Sequence, residues 1–258
     1  MPAPLPTDRF SDLADAYAQA RPAYPLEVID WCLRLSSAPP RTIVDLGCGT
    51  GISTRLFAKD GARTIGIEPN AAMLAKAKSE GRIEFRSGTS TATGLPDASA
   101  DLIVSATAFH WFELPGTFHE LARIATPAAW NVALWNRRKP QGAFMLAYED
   151  LLRSMSSEYE VYGRGMDRYR ELQQFFHDDI REAALDHSVP MDLTRLRALA
   201  MSSSYVQFGV ADKDALLERL DTLYAEHAGP QGISMLYTTY AIAWPAHIVP
   251  RRTSGGPA

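Results

Sequence analysis

The feature that most constrains this chain is a set of three glycines at alternate positions, Gly47, Gly49 and Gly51, directly after an apolar run at residues 43–46. The run is rich in β-branched residues, which is typical of a buried strand. Apolar side chains then recur at helical spacing, and Gly61 follows as a stop. The stretch predicts a strand, a tight turn and a helix, with a turn backbone that a ligand can approach closely.

The residue types around this turn limit the classes of ligand that it could bind. The spacing is G-x-G-x-G, whereas the dinucleotide fingerprint is G-x-G-x-x-G, and Asp45 stands just before the glycines. A carboxylate at this place repels a pyrophosphate and attracts a ligand that carries an ammonium or sulfonium group. Cys48 lies inside the turn as a small filler. The alternative is a strand-to-helix turn that binds no ligand.

Composition limits the other possibilities. A chain of 258 residues forms one large domain, or one domain with a cap. The net charge of −4 argues against non-specific nucleic-acid binding, and the basic patch at 137–139 is interpreted first as a solvated loop. The two cysteines, Cys32 and Cys48, lack metal-ligand spacing, so no metal site is predicted. No stretch resembles a signal peptide or a membrane span, and we expect a cytoplasmic protein.

Strands alternate with helices after the turn, which predicts an α/β fold with a doubly wound, largely parallel sheet. Further strands are predicted at 63–68, 82–86, 101–106 and 130–136, with helices at 11–19, 26–35, 70–80 and 114–125. Beyond 137 we predict helices at 141–157, 169–185, 193–200 and 212–226, a strand at 233–242 and another near 187–193. The expected organisation is an N-terminal helical segment (1–40), an α/β core (41–138), a helical cap (139–230), a late strand (231–250) and a tail (251–258).

In an open parallel sheet, ligands bind outside the carboxyl ends of the strands. Glu68 ends the second strand, where a carboxylate can accept hydrogen bonds from two ribose hydroxyls; the alternative is a surface acid that caps the next helix. His110 follows the fourth strand and could orient an acceptor or take its proton, or it could bond only to a neighbouring loop. Trp111 is either a pocket wall or a core residue.

A family resemblance rests on five stretches in this order. They are Y-x-x-x-R-P-x-Y-P (17–25), D-L-G-C-G-T-G (45–51), G-I-E-P-N-x-x-M (66–73), L-P-D-x-S-x-D-L (95–102) and F-H-W-F (109–112). The chain resembles the class I S-adenosylmethionine (SAM)-dependent methyltransferases, in the methyltransferase-11-type subgroup of small-molecule enzymes similar to trans-aconitate methyltransferase. The resemblance implies a Rossmann-like seven-stranded sheet with its last strand antiparallel, a helical cap, and SAM as the cofactor.

The resemblance also implies roles for residues. It implies that Tyr17 and Arg21 close over the site, although both could instead form a structural clasp, and that His110 and Tyr17 are candidates for catalysis. Hydroxyls at 89–91 stand where relatives often carry an acid that contacts adenine. The implied cofactor-binding set is Arg21, Asp45, Gly47, Cys48, Gly49, Gly51, Glu68, Pro69, Met73, Ser90, Thr91 and Ala106.

The expected function is methyl transfer from SAM to a small-molecule acceptor, by O- or C-methylation of a carboxylate or a secondary metabolite. Arg21, Arg137 or Arg138 could pair with a carboxylate. A SAM-binding module without transfer activity is the main alternative; a nicotinamide-dependent oxidoreductase and a nucleic-acid or protein methyltransferase are weaker ones. We expect neither a nucleic-acid partner nor a membrane, and the sequence leaves the oligomeric state open.

Overall fold

The computed structural model describes residues 21–58 and 61–250, apart from the side chains at 161, 162, 164 and 178. The predicted helix at 11–19 and the candidate residue Tyr17 lie outside the described residues. The seven strands are β1 (Thr42–Leu46), β2 (Arg63–Glu68), β3 (Ile83–Ser87), β4 (Ala100–Ala106), β5 (Ala125–Arg138), β6 (Arg181–Met191) and β7 (Ile233–Pro245). The α-helices of the described residues are α1 (Leu26–Leu33), α2 (Ile52–Phe57), α3 (Ala71–Lys76), α4 (Leu114–Ile124), α5 (Ala143–Met155), α6 (Arg164–Phe176), α7 (Leu193–Met201), α8 (Ser204–Gly209) and α9 (Lys213–His227).

The strands form one sheet in the order β3-β2-β1-β4-β5-β7-β6. The first five are parallel, whereas β7 runs antiparallel to both β5 and β6. The predicted doubly wound sheet with an antiparallel last strand is therefore confirmed. The strand order reverses between β1 and β4, and in such sheets the crevice outside the carboxyl ends at that point is the usual ligand site.

Side chains on alternate strand positions fill both faces of the sheet. Val44 and Leu46 of β1 pack into one buried cluster with helices α4 and α6, while Ile43 packs into another with α1 and α2. This alternation follows from the two-residue repeat of a strand. A third cluster joins α5, α7 and α9 to the first half of β7 through residues such as Leu152, Leu196 and Met235. These three helices and α8, whose Tyr205 and Val206 belong to the same cluster, are the region called the helical cap below.

The structure corrects three predicted boundaries. The helix predicted at 169–185 ends at Phe176, and residues 181–191 form the edge strand β6. The segment Arg181–Leu185 is rich in good helix formers, but pairing with β7 along eleven positions overrides that local preference. Helix α3 ends at Lys76 instead of residue 80, and β5 begins at Ala125, five residues earlier than predicted. Helix α8 was not predicted.

Among the described helices, none is long and apolar enough to cross a membrane.

Candidate functional site

A cavity of about 250 Å³ opens at the carboxyl ends of the parallel strands. Its walls follow the order of the strands across the sheet, so neighbouring strands contribute neighbouring parts of the site. The strand ends supply Glu68 after β2, the turn Gly47–Gly49 after β1, Ala106–Ala108 after β4, Asn136 and Arg138 from β5, and Tyr237 from β7.

The glycine turn is fixed by contacts that only glycine permits. Gly47 has a φ of +74°, and a Cβ there would lie 2.6 Å from the Cβ of Ala108. Its N–H donates to the Ile67 carbonyl at 2.8 Å, which anchors the turn to β2. Gly49 has a φ of +56°, but a Cβ there would meet no atom of the described residues within 4 Å, apart from its two chain neighbours. Gly47 therefore packs closely against Ala108, whereas Gly49 leaves room for a ligand to approach the backbone.

Glu68 joins the glycine turn to the start of α3. One carboxylate oxygen accepts the Gly49 N–H at 2.9 Å, and the other accepts the Asn70 N–H at 2.8 Å. Asn70 in turn caps α3 by accepting the Met73 N–H at 2.9 Å, so Met73 reaches the cavity wall. Burial raises the pKa of Glu68, partly offset by the two N–H donors. Each carboxylate oxygen keeps a second lone pair, so Glu68 can also accept hydrogen bonds from two neighbouring hydroxyls of a ligand.

Asp45 lies behind the cavity wall, although the sequence places it among the ligand-binding residues. The residue is completely buried, and one carboxylate oxygen accepts the Ser53 and Thr54 hydroxyls at 2.7 Å each. Burial raises the pKa of this carboxyl to about 6, although the hydroxyls of Thr54 and Ser53 oppose the increase. Asp45 therefore fastens the first turn of α2 to the end of β1, and its charge reaches the cavity only through the protein.

His110 also lies outside the cavity wall. It belongs to a short 3₁₀-helix, Phe109–Trp111, and its Nδ1 accepts the indole N–H of Trp135 at 3.3 Å. In a neutral imidazole the nitrogen that accepts a hydrogen bond is the one that lacks a proton. The lone pair that a general base requires is thus already engaged by Trp135. Trp111, by contrast, lines the cavity, which corresponds to the first of its two predicted roles, a pocket wall.

The structure brings most of the other predicted residues together. Gly51 starts α2 beneath the Phe85 ring and does not line the cavity, and Thr91 is exposed beside Thr89. Ser90 lines the cavity and accepts the Thr117 hydroxyl at 2.8 Å. The predicted residues that line the cavity are Arg21, Gly47, Cys48, Gly49, Glu68, Pro69, Met73, Ser90 and Ala106.

Arg138 dominates the far end of the cavity, although the sequence favoured a solvated loop at this place. Its side chain is only 6% exposed and forms an ion pair with the buried Glu149. It also donates to the Tyr205 hydroxyl at 2.7 Å, and its guanidinium carbon lies 5.3 Å from the centre of the Tyr148 ring. The arrangement presents a fixed guanidinium to the cavity with aromatic rings around it.

Several cavity residues were not assigned to the site from the sequence, among them Tyr24, Thr107, Asn136 and Tyr237. Tyr24 and Thr107 form a hydroxyl pair. Asn136 lies two residues beyond Leu134, the last β5 residue that pairs with β4, and Tyr237 of β7 pairs with Arg138. Asn136 could have been predicted from the sequence, because ligands bind outside the carboxyl ends of parallel strands and Asn136 lies near that end of β5. Tyr237 could not have been predicted, because the start of an antiparallel strand reaches the site only through pairing with β5.

The charge distribution indicates which ligand fits. The charged residues of the cavity wall, within the described part of the chain, are Arg21, Glu68 and Arg138. At the end that holds the glycine turn, the described residues of the wall include the Glu68 carboxylate and the apolar Met73. Of the two cations, Arg138 lies at the other end and Arg21 donates to the Ser202 carbonyl just after α7. A nucleoside with free hydroxyls and no phosphate fits the end that holds the glycine turn.

Comparisons with known proteins agree with this geometry. A family model described as a methyltransferase domain matches residues 44–132, from β1 into β5. A protein of Dictyostelium discoideum described as a methyltransferase is 25% identical over 248 residues, which are 91% of this chain and 93% of that protein. A protein of Saccharomyces cerevisiae described as a SAM-dependent methyltransferase is 27% identical over 66% of this chain and 58% of its own length.

The fold agrees as well. A solved structure from Anaeromyxobacter dehalogenans, described as a type II methyltransferase, is 26% identical and superposes with a TM-score of 0.64, covering 90% of this chain and 99% of its own. The likeness thus extends past the matched domain into the helical cap and the last strands. Residues 44–132 therefore form a methyltransferase domain, and the chain is a SAM-dependent methyltransferase that is similar along most of its length to other methyltransferases.

Proposed function

We propose that this enzyme methylates a small organic carboxylate. The observation that carries the proposal is the buried Arg138 guanidinium at the end of the cavity opposite Glu68. A guanidinium held in place among aromatic rings binds a carboxylate in a defined orientation. The cavity wall also includes Trp111 and Leu199, whose apolar side chains suit an apolar body on the acceptor.

The cofactor end supports binding of SAM by residues of this chain. Glu68 would accept the ribose hydroxyls, Met73 and Pro69 would cover the adenine, and the Gly47–Gly49 backbone would contact the methionine part. When bound, SAM supplies a methyl group on a positively charged sulfur. The negative charges of Glu68 and the buried Asp45 favour a cationic ligand, with the effect of Asp45 transmitted through the protein.

A carboxylate acceptor also agrees with the described part of the cavity wall, which holds no histidine and no carboxylate apart from Glu68 at the cofactor end. An ionised carboxylate oxygen needs no proton removed before it attacks a methyl carbon, so positioning and water exclusion are the main tasks of the protein. His110, whose Nδ1 accepts from Trp135, is therefore proposed as a structural residue. We also propose that α7, which contributes Leu199, and the other cap helices determine the shape of the acceptor.

The experiment combines two measurements. Titration with SAM should show saturable binding that Glu68→Ala weakens at least tenfold, about 1.4 kcal/mol. Formation of S-adenosylhomocysteine (SAH) is then measured with a panel of aliphatic and aromatic acids and the matching alcohols. We expect turnover with acids, which Arg138→Met abolishes and Arg138→Lys partly retains, while both variants bind SAM normally. Turnover of alcohols alone, or full activity of Arg138→Met, would contradict the carboxylate assignment.

A further inference from the structure

Two hydroxyl groups meet in the middle of the cavity wall. The Tyr24 phenol oxygen and the Thr107 Oγ1 are 2.6 Å apart, a short hydrogen bond between residues that are 83 positions apart in the sequence. Tyr24 is 8% exposed and comes from the segment before α1, while Thr107 follows directly after β4. Both residues line the cavity. The pair thus connects the N-terminal segment to the central strand of the sheet.

The position of β4 places this pair between the two halves of the site. The sheet order β2-β1-β4-β5 puts Glu68 and the glycine turn on one side of β4, and Asn136 and Arg138 on the other. A cofactor bound along the β2 and β1 ends and an acceptor bound at Arg138 must therefore meet at the end of β4. Thr107 is the first residue beyond that strand end.

Thr107 holds this position in an unfavourable backbone conformation. Its φ is +55°, a value that a β-branched residue rarely adopts, and its N–H is fixed by the Leu134 carbonyl at 2.7 Å. Glycine would adopt the same conformation without steric strain. Strained residues of this kind persist where the surroundings impose them, and they cluster at functional sites. The hydroxyl of Thr107 therefore has a task other than stabilising the turn.

We propose that Thr107 binds the acceptor oxygen that receives the methyl group, a carboxylate oxygen under the proposed function, at the junction of the two half-sites, and that Tyr24 is the positioning residue that fixes the Thr107 hydroxyl. A phenol is a stronger acid than an alcohol, so Tyr24 is the favoured donor in the pair. The Thr107 hydrogen then points to a third oxygen instead of to Tyr24. A carboxylate held at one end by Arg138 and at the other by Thr107 has one defined orientation toward the cofactor. This inference rests on the proposed function.

The test uses Thr107→Gly and Tyr24→Phe, with Thr107→Ser as the matched control that keeps the hydroxyl. With octanoate as the probe acid, we expect both test variants to lower kcat/KM at least tenfold and Thr107→Ser to stay within threefold of the wild type. The double variant should lose no more than the larger single loss, because the two hydroxyls act as one unit. SAH affinity should stay within threefold in all variants. Full kcat/KM in Thr107→Gly, or losses that multiply in the double variant, would overturn the proposal.

Two further readouts separate this proposal from the carboxylate assignment. If the wild type turns over no acid but methylates 4-nitrophenol, the carboxylate assignment fails, and the same variants are compared on 4-nitrophenol with the same expected ratios. Thermal unfolding needs no acceptor at all. Thr107→Gly should unfold at or above the temperature of Tyr24→Phe, because both variants lose the hydrogen bond between the two side chains and only Thr107→Gly also removes the backbone strain. A lower unfolding temperature than that of Tyr24→Phe would mean that the threonine serves the fold, and would overturn the proposal.

Discussion

Arg138 at the cavity wall and Glu149 on α5 form an ion pair whose side chains are only 6% and 9% exposed. Glu149 also accepts the Tyr159 hydroxyl, so the carboxylate has a partner on each oxygen. Removing one member of such a pair leaves an uncompensated buried charge, which is strongly destabilising. The pair therefore links the stability of the cap to the recognition of the acceptor.

The first prediction concerns Glu149. We expect Glu149→Ala to lower the free energy of unfolding by about 3 kcal/mol, measured by urea denaturation, because Arg138 then stays buried without its counter-charge. The neighbouring Asp150 provides the control. Its ion pair with Arg153 is exposed, so Asp150→Ala should change the free energy of unfolding by less than about 0.5 kcal/mol. Equal effects of the two substitutions would contradict the prediction.

The second prediction distinguishes two roles of a turn glycine, namely adopting a left-handed backbone conformation and leaving room for a ligand. Gly49 and Gly81 have φ values of +56° and +57°. Apart from the chain neighbours, a Cβ on either would meet no atom within 4 Å in the part of the chain that the structure describes. Alanine at either position should therefore lower stability by about 1 kcal/mol through the left-handed backbone alone. Only Gly49 lines the cavity, so only Gly49→Ala should weaken SAM binding, at least tenfold by calorimetric titration. If Gly49→Ala binds SAM as Gly81→Ala does, the ligand does not approach this backbone.

Much of the cofactor end could be predicted from the sequence, because its residues are identified by short stretches of neighbouring residues. Gly47, Gly49 and Glu68 stand at strand ends that the apolar pattern predicts, and their backbone requirements follow from residue type. The carboxylate of Asp45 could not be oriented in this way. Its partners, Ser53 and Thr54, lie in the next helix, and nothing in the sequence says that their hydroxyls turn toward β1.

The acceptor end depends on long-range packing and was correspondingly hard to predict. Arg138 has an ordinary surface-like sequence context, and only the packing of α5 and α8 against β5 buries it beside Glu149 and Tyr205. The strand β6 is another example, since residues 181–185 have a helical composition and become a strand only through pairing with β7. In both cases the deciding contacts join residues far apart in the chain.

The third prediction concerns His110. Because its Nδ1 accepts the Trp135 indole N–H, His110→Ala should leave that buried donor unpaired and lower the free energy of unfolding by about 1–3 kcal/mol. SAH affinity and turnover should remain within threefold of the wild type. A general base contributes about 10²–10⁴-fold to a rate, so a loss of that size with an intact fold would restore His110 as a catalytic residue. The exposed His119 is the control, and His119→Ala should change neither quantity.

The fourth prediction is a pH dependence that originates at Asp45. Burial raises the pKa of this carboxyl to about 6 in the folded protein, against an ordinary value of 3.8 in the unfolded chain. Between these values the folded state binds the proton more tightly, so the contribution of Asp45 to stability rises as the pH falls from 7 to 4. Asp45→Asn carries no charge at either pH. Its stability relative to the wild type should therefore be higher at pH 7 than at pH 4, by on the order of 2–3 kcal/mol.

Urea denaturation of both proteins at the two pH values measures this difference, because the titration of all other groups largely cancels. Thr54→Val tests the physical cause, since it removes a hydroxyl that lowers the pKa of Asp45. That pKa should then rise further, and the variant should lose more stability above pH 6 than at pH 4. If Asp45→Asn differs from the wild type by the same amount at pH 4 and pH 7, the buried carboxyl does not titrate in this range. Its charge would then be stabilised by more than the Ser53 and Thr54 hydroxyls.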